Sequence, residues 1–211
     1  MTEMLTRISD ALFRGEHEEV SDLTRAAADD LDPQQILDDG LIAGMDRVGE
    51  LFKAHEIFLP EVLMAARAMQ AGTAVLEPLL ASGGGALSRG RVVIGTVRGD
   101  LHDIGKSLVT VMLRGAGFDV ADLGNDVAPE RFVDEAVEKE ASVIGMSALL
   151  TTTMPAMGEV VELVRSRGLE VATIVGGAPV SKEFAREIGA DGYGFDAANA
   201  VDLVKSLTAG T

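Results

Sequence analysis

The sequence predicts a helical bundle followed by a doubly wound α/β domain with a parallel five-stranded sheet. Three observations lead there. From Thr2 to about Ala81 apolar residues recur at three- and four-residue spacing, with no strand-like alternation. Ser82-Gly83-Gly84-Gly85, extended to Gly90, then interrupts the pattern, because successive glycines hold a regular element poorly. Beyond it, short apolar runs alternate with helical ones, as in β-α units. The expected organisation is a helical domain over 1–82, a linker over 83–90 and an α/β domain over 91–211.

Four helices are expected in the first part: Thr2 to Phe13, Glu16 to Leu31, Pro33 to Phe52, and Phe58 to Leu80. Asp32 is placed to cap the third and Pro33 to occupy its first turn, while Pro60 marks the start of the fourth and Pro78 a bend. Short loops between four helices make a bundle. In the second part strands are expected near Val92–Val97, Asp119–Leu123, Ser142–Met146, Val171–Val175 and Gly192–Tyr193. Helices fall near Gly105–Gly115, Pro129–Glu140, Thr153–Arg167, Ser181–Ile188 and Ala197–Leu207. If the strand order is flavodoxin-like, a ligand crevice opens between the first and third strands, and the loops after the first, third and fourth converge on it.

Composition narrows the function. The 211 residues have no cysteine, which removes disulfides, thiolate metal sites and a cysteine nucleophile and leaves three histidines and the carboxylates as metal-ligand candidates. A net charge of −16 argues against nucleic acid, which requires a basic face. Residues 1 to 85 carry 16 acidic and 6 basic side chains, either a well-solvated surface or a docking face for a protein partner. No apolar run approaches the roughly 18 residues of a membrane span, and no basic-then-apolar leader opens the chain, so a cytoplasmic location is expected.

The three strand-end loops are specialised. The first, Gly99-Asp100-Leu101-His102-Asp103-Ile104-Gly105, sets a histidine two residues after a carboxylate. The third opens the hydroxyl-rich run Ser147-Ala148-Leu149-Leu150-Thr151-Thr152-Thr153, and the fourth carries Gly176-Gly177-Ala178-Pro179. Glycines after a strand admit a close approach to the backbone. A ligand touching three loops is large. His17, in an acidic stretch, and His55, before the fourth helix, are read as structural.

Asp100-x-His102-x-x-Gly105, then 41 residues, Ser147-x-Leu149, then 26 residues and Gly176-Gly177, resembles the cobalamin-binding signature of methionine synthase and of methyltransferase corrinoid proteins. Gly49-Glu50-Leu51-Phe52 and Phe58-Leu59-Pro60-Glu61-Val62 resemble the helical cap of that family. The SALLTTTM and GGAPV segments are most similar to the free-standing corrinoid proteins of methylamine- and methanol-type systems.

That resemblance implies a cobalamin cofactor with His102 as the cobalt ligand, held in a loop of Leu101, Asp103, Ile104 and Gly105. Its nucleotide tail would lie in a pocket of Ser147, Leu149, Thr151, Gly176 and Gly177. Asp100 would bond the far imidazole nitrogen and raise ligand basicity, with Thr153 as the hydroxyl relaying protons to it. Phe52, Leu59 and Val62 would roof the methyl group, although apolar residues at such spacing also serve as bundle core. Tyr193 and Ala197 have two open roles, tail pocket or C-terminal core. The implied function is methyl carriage, cycling between methyl-Co(III) and Co(I). The implied partners are a donor-specific barrel methyltransferase, an acceptor methyltransferase using coenzyme M or tetrahydrofolate, and a reductive activation protein. A cobalamin-dependent sensor and an adenosylcobalamin mutase subunit are the alternatives; a sensor would need an output, and a mutase subunit usually lacks the cap.

Overall fold

The computed structural model describes residues 3–83 and 88–209. Gly84 and Gly85 of the expected linker lie outside the described residues. The chain divides into two compact units, Met1–Arg89 with Arg114–Gly117, and Gly90–Leu113 with Phe118–Thr211.

The first unit is helical. Helices α1 (Glu3–Phe13) and α2 (His17–Ala27) precede a continuous rod made of α3 (Pro33–Gln35), a π-helical segment Ile36–Ile42 and α4 (Ala43–Lys53); α5 (Leu59–Gly83) completes it. Helix α2 stops four residues short of the expected Leu31. Asp29 and Asp30 follow just past its C-cap Ala28, and carboxylates oppose the negative end of a helix dipole. Asp32 makes no side-chain cap bond, contrary to expectation, although Pro33 does occupy the first turn. At α5 the Glu61 side chain accepts from the Phe58 amide at 3.1 Å, half of a capping box, and the helix runs through Pro78. Leu5, Ile8, Leu12, Val20, Leu41 and Leu76 are fully buried. Gly72 lets α5 pack closely, since a Cβ there would meet Leu41 Cδ2 at 2.6 Å. Val62 is buried, Phe52 half-buried and Leu59 exposed.

In the second unit β1 (Arg91–Thr96), β2 (Asp119–Asp122), β3 (Val143–Ser147), β4 (Ala172–Gly176) and β5 (Gly192–Gly194) form one parallel sheet in the order β2-β1-β3-β4-β5. Thr96 pairs with Ser147, and Ser147 with Gly176, so three strands end level. Helices α6 (Ile104–Gly115), α7 (Pro129–Glu138), α8 (Pro155–Ser166), α9 (Lys182–Ile188) and α10 (Ala197–Thr208) follow the strands in turn. Val93, Ile144 and Val175 share a buried cluster with Phe132 of α7 and Met157, Val160 and Val161 of α8. Gly95 makes room for that layer, because a Cβ there would lie 2.8 Å from the Phe132 ring. The fold is the expected doubly wound sheet, with its switch point between β1 and β3.

Candidate functional site

The chain leaves β1 at Thr96 and passes through Val97–Asp103 into α6. Asp100 turns inward and is fully buried. Its Oδ1 accepts from the His102 amide at 3.1 Å and faces His102 Nδ1 at 2.8 Å. Its Oδ2 accepts from the Leu149 amide at 2.8 Å, the Leu150 amide at 3.1 Å and the Thr153 hydroxyl at 2.8 Å. Burial alone raises a carboxylate's pKa. Here the bonds from the Leu149 amide, the His102 ring and amide and the Thr153 hydroxyl outweigh it, and hold Asp100 well below the usual carboxylate range.

A carboxylate only accepts, so the ring proton of His102 must sit on Nδ1, leaving Nε2 with its lone pair. The imidazole is 53% exposed while Asp100 is closed off, the arrangement of a ligand held by an inner tether. Thr153 is itself buried. Its hydroxyl is 2.8 Å from Leu150 O as well as from Asp100, two acceptors for one proton.

The loop backbone is tied on the other flank. The Asp126 amide donates to Asp100 O at 3.0 Å, the Gly99 amide donates to Asp126 Oδ1 at 2.7 Å, Asn125 Nδ2 donates to Leu101 O at 3.1 Å, and buried Thr96 donates to His102 O at 2.8 Å. None of Thr96, Asn125 and Asp126 was expected from the sequence. Asn125 and Asp126 carry only the turn chemistry of Gly124-Asn125-Asp126 after a strand as a signal, and Thr96, at the end of β1, carries none.

Beside the loop is a cavity of about 710 Å³. Its floor is Ile94, Gly145 and Ile174 of the central strands; Gly105, Lys106, Leu108 and Val109 of α6 form one wall, and Tyr193, Phe195, Ala197 and Ala200 the other. Leu101, His102, Asp103, Ile104, Ser147, Leu149, Gly176 and Gly177 are also among the lining residues. Thr151 is exposed outside that lining. Lys106, buried and also absent from the expected set, is neutralised by Asp122 at 2.6 and 2.5 Å.

The glycines divide by purpose. A Cβ at Gly177, whose φ is +131°, would fall 1.8 Å from Ala148 O, and one at Gly176 would fall 2.9 Å from Gly194 O. Both are therefore required by the protein's own backbone as well as lining the cavity. Gly105 is different, since a Cβ there meets nothing within 4 Å.

An available imidazole nitrogen suits a borderline transition metal, the adjoining cavity suits a large organic appendage, and apolar Leu101 and Ile104, on either side of His102 in the loop, are 73% and 82% exposed. The residues thus fit a metal-centred cofactor with a long tail.

Comparison with known proteins gives the class. Residues 90–202 match the B12 binding domain and residues 4–77 match a second B12 binding domain model. The chain belongs to the B12-binding corrinoid proteins, and its cofactor is a corrinoid. It is 44% identical over 209 residues to dimethylamine corrinoid protein 1 of Methanosarcina acetivorans, covering 98% of each chain. Among solved structures, it matches a chain of the methanol:cobalamin methyltransferase complex MtaBC of Methanosarcina barkeri with TM-score 0.88 and 35% identity, covering 99% of this chain and 81% of that one. A cobalamin-binding protein of Desulfitobacterium hafniense DCB-2 matches with TM-score 0.78 and 29% identity, over 96% and 98%. The chain is thus a corrinoid protein of methyltransferase systems. Among the described residues no helix is long and apolar enough to cross a membrane.

Proposed function

We propose that this chain carries a methyl group between two methyltransferases, with His102 Nε2 as the lower ligand of cobalt and the cofactor's nucleotide tail in the cavity beside it. A corrinoid held there by His102 would supply a cobalt able to accept a methyl group and give it up again. The observation that supports this reading most is a half-exposed imidazole whose Nδ1 is tethered to fully buried Asp100, at the edge of a cavity of about 710 Å³.

Asp100 fixes the imidazole tautomer and increases ligand basicity. The Thr153 hydroxyl, with Leu150 O as a second acceptor, can turn away from Asp100 when that carboxylate holds a proton. Leu101, Ile104 and Leu149 keep water from the ligand, while Ser147, Gly176, Gly177, Tyr193 and Ala197 receive the tail. The names of the relatives favour a methylated amine as donor, and the methyltransferase complex among the matched structures favours a methyltransferase as partner. An acceptor methyltransferase using coenzyme M or tetrahydrofolate and a reductive activation protein complete the cycle. Isolation from the cells that make it should yield protein whose upper cobalt ligand is methyl, or protein that a donor methyltransferase charges with methyl. An adenosyl upper ligand would contradict the carrier reading.

A further inference from the structure

We propose that Asn125 and Asp126, just past the end of β2, are positioning residues that aim the His102 imidazole; the inference rests on His102 being the cobalt ligand. Strand β1 lies between β2 and β3, so the histidine loop emerges with one strand end on each side. The β3 side grips the Asp100 carboxylate. The β2 side grips the backbone. Asp126 brackets the Gly99–Asp100 pair, accepting from the Gly99 amide at 2.7 Å and donating to Asp100 O at 3.0 Å, and Asn125 takes the next carbonyl, Leu101 O, at 3.1 Å.

Two features separate this grip from ordinary turn formation. Asp126 has φ +53°, a left-handed conformation that costs a non-glycine residue about 1 kcal/mol. In this conformation its amide and its carboxylate both face the Gly99–Asp100 segment. Asp126 is also exposed, so its bonds are not needed to satisfy a buried group of its own. With the carbonyls of residues 100, 101 and 102 each occupied, the loop cannot shift without breaking a bond, and a ligand nitrogen must be held within about 0.5 Å to remain productive.

The test uses Asp126→Gly, which keeps the left-handed turn and the amide but loses the carboxylate, and Asp126→Asn, which restores an oxygen acceptor and tolerates that turn. Each full-length protein is loaded with methylcobalamin, and the visible spectrum reports the fraction with a nitrogen below cobalt, His102→Gly serving as the ligand-free reference. The ligation constant should fall roughly tenfold in Asp126→Gly and return to near wild type in Asp126→Asn, with cofactor affinity changed less because the cavity is untouched. In cofactor-free protein the Gly99 amide should exchange roughly tenfold faster in the glycine variant only. Wild-type ligation in Asp126→Gly, or an asparagine variant as impaired as the glycine one, would overturn the proposal. If His102→Gly itself has the wild-type spectrum, the ligand assignment fails, and the proposal with it.

Discussion

Replacing Asp100 by asparagine keeps size and shape but exchanges one acceptor for a donor at the centre of the site. The five donors around the carboxylate leave the new amide two orientations. With its nitrogen toward Leu149 and Leu150, it would face two backbone N–H groups that have no other acceptor. With its nitrogen toward His102, it faces only one amide, and the imidazole can answer by moving its proton from Nδ1 to Nε2. The second arrangement is cheaper by one unsatisfied buried amide, about 1–3 kcal/mol. It also places a proton on the nitrogen that must bind cobalt. Asp100→Asn should therefore retain the corrinoid through its tail, lose about tenfold to a hundredfold in His102 ligation, and become less stable by about 1–3 kcal/mol. Nitrogen-15 chemical shifts of His102 in the cofactor-free protein report the tautomer directly, and the spectrum of bound methylcobalamin reports ligation. If the variant keeps its proton on Nδ1 and ligates as wild type does, the tautomer argument is refuted.

Three further expectations follow from the same geometry. Gly105→Leu should weaken corrinoid binding at least roughly tenfold without lowering the melting temperature, because its side chain enters the cavity unopposed, whereas Gly177→Ala should lower the melting temperature, its Cβ having only 1.8 Å to Ala148 O; thermal melts with absorbance titrations separate the two. Thr153→Val should lose about 1 kcal/mol in urea unfolding through its missing bonds to Asp100 and Leu150 O, with Thr153→Ser restoring most of it. Because Asp100 has a lower pKa folded than unfolded, the unfolded chain takes its proton first; that stability is intact above about pH 4 and drains away as the pH falls further. The cofactor-free wild type should therefore destabilise more steeply below pH 4 than Asp100→Asn, and parallel acid limbs would contradict the assignment.

Much of the site was legible because its chemistry is local in sequence. Asp100 and His102 are two residues apart, and the alternation of strands and helices fixed which loops would meet them. Thr153, within a hydroxyl-rich run, is marked out by the family resemblance, and its hydroxyl does lie against Asp100. Asn125 and Asp126 were not found, since their bonds join loops 24 and 27 residues apart and are made largely to backbone, which leaves no mark in residue type at the histidine loop. The glycine pair was seen but only half understood: sequence suggested room for a ligand, and the structure adds a collision with Ala148 O and Gly194 O. The π-helical Ile36–Ile42 was also hidden, because the periods of α- and π-helices differ too little to separate over seven residues that are mostly apolar.

The claim on which the rest depends is that a nitrogen of His102 binds cobalt from below. Protein grown with nitrogen-15 histidine, loaded with unlabelled cobalamin and reduced to the paramagnetic Co(II) state, tests it by electron paramagnetic resonance, since nitrogen-14 splits each cobalt line into a triplet and nitrogen-15 into a doublet. Doublets are expected, reverting to triplets when the histidine is unlabelled. Triplets that persist in the labelled protein would show that the cofactor's own base occupies the position, and would contradict the account.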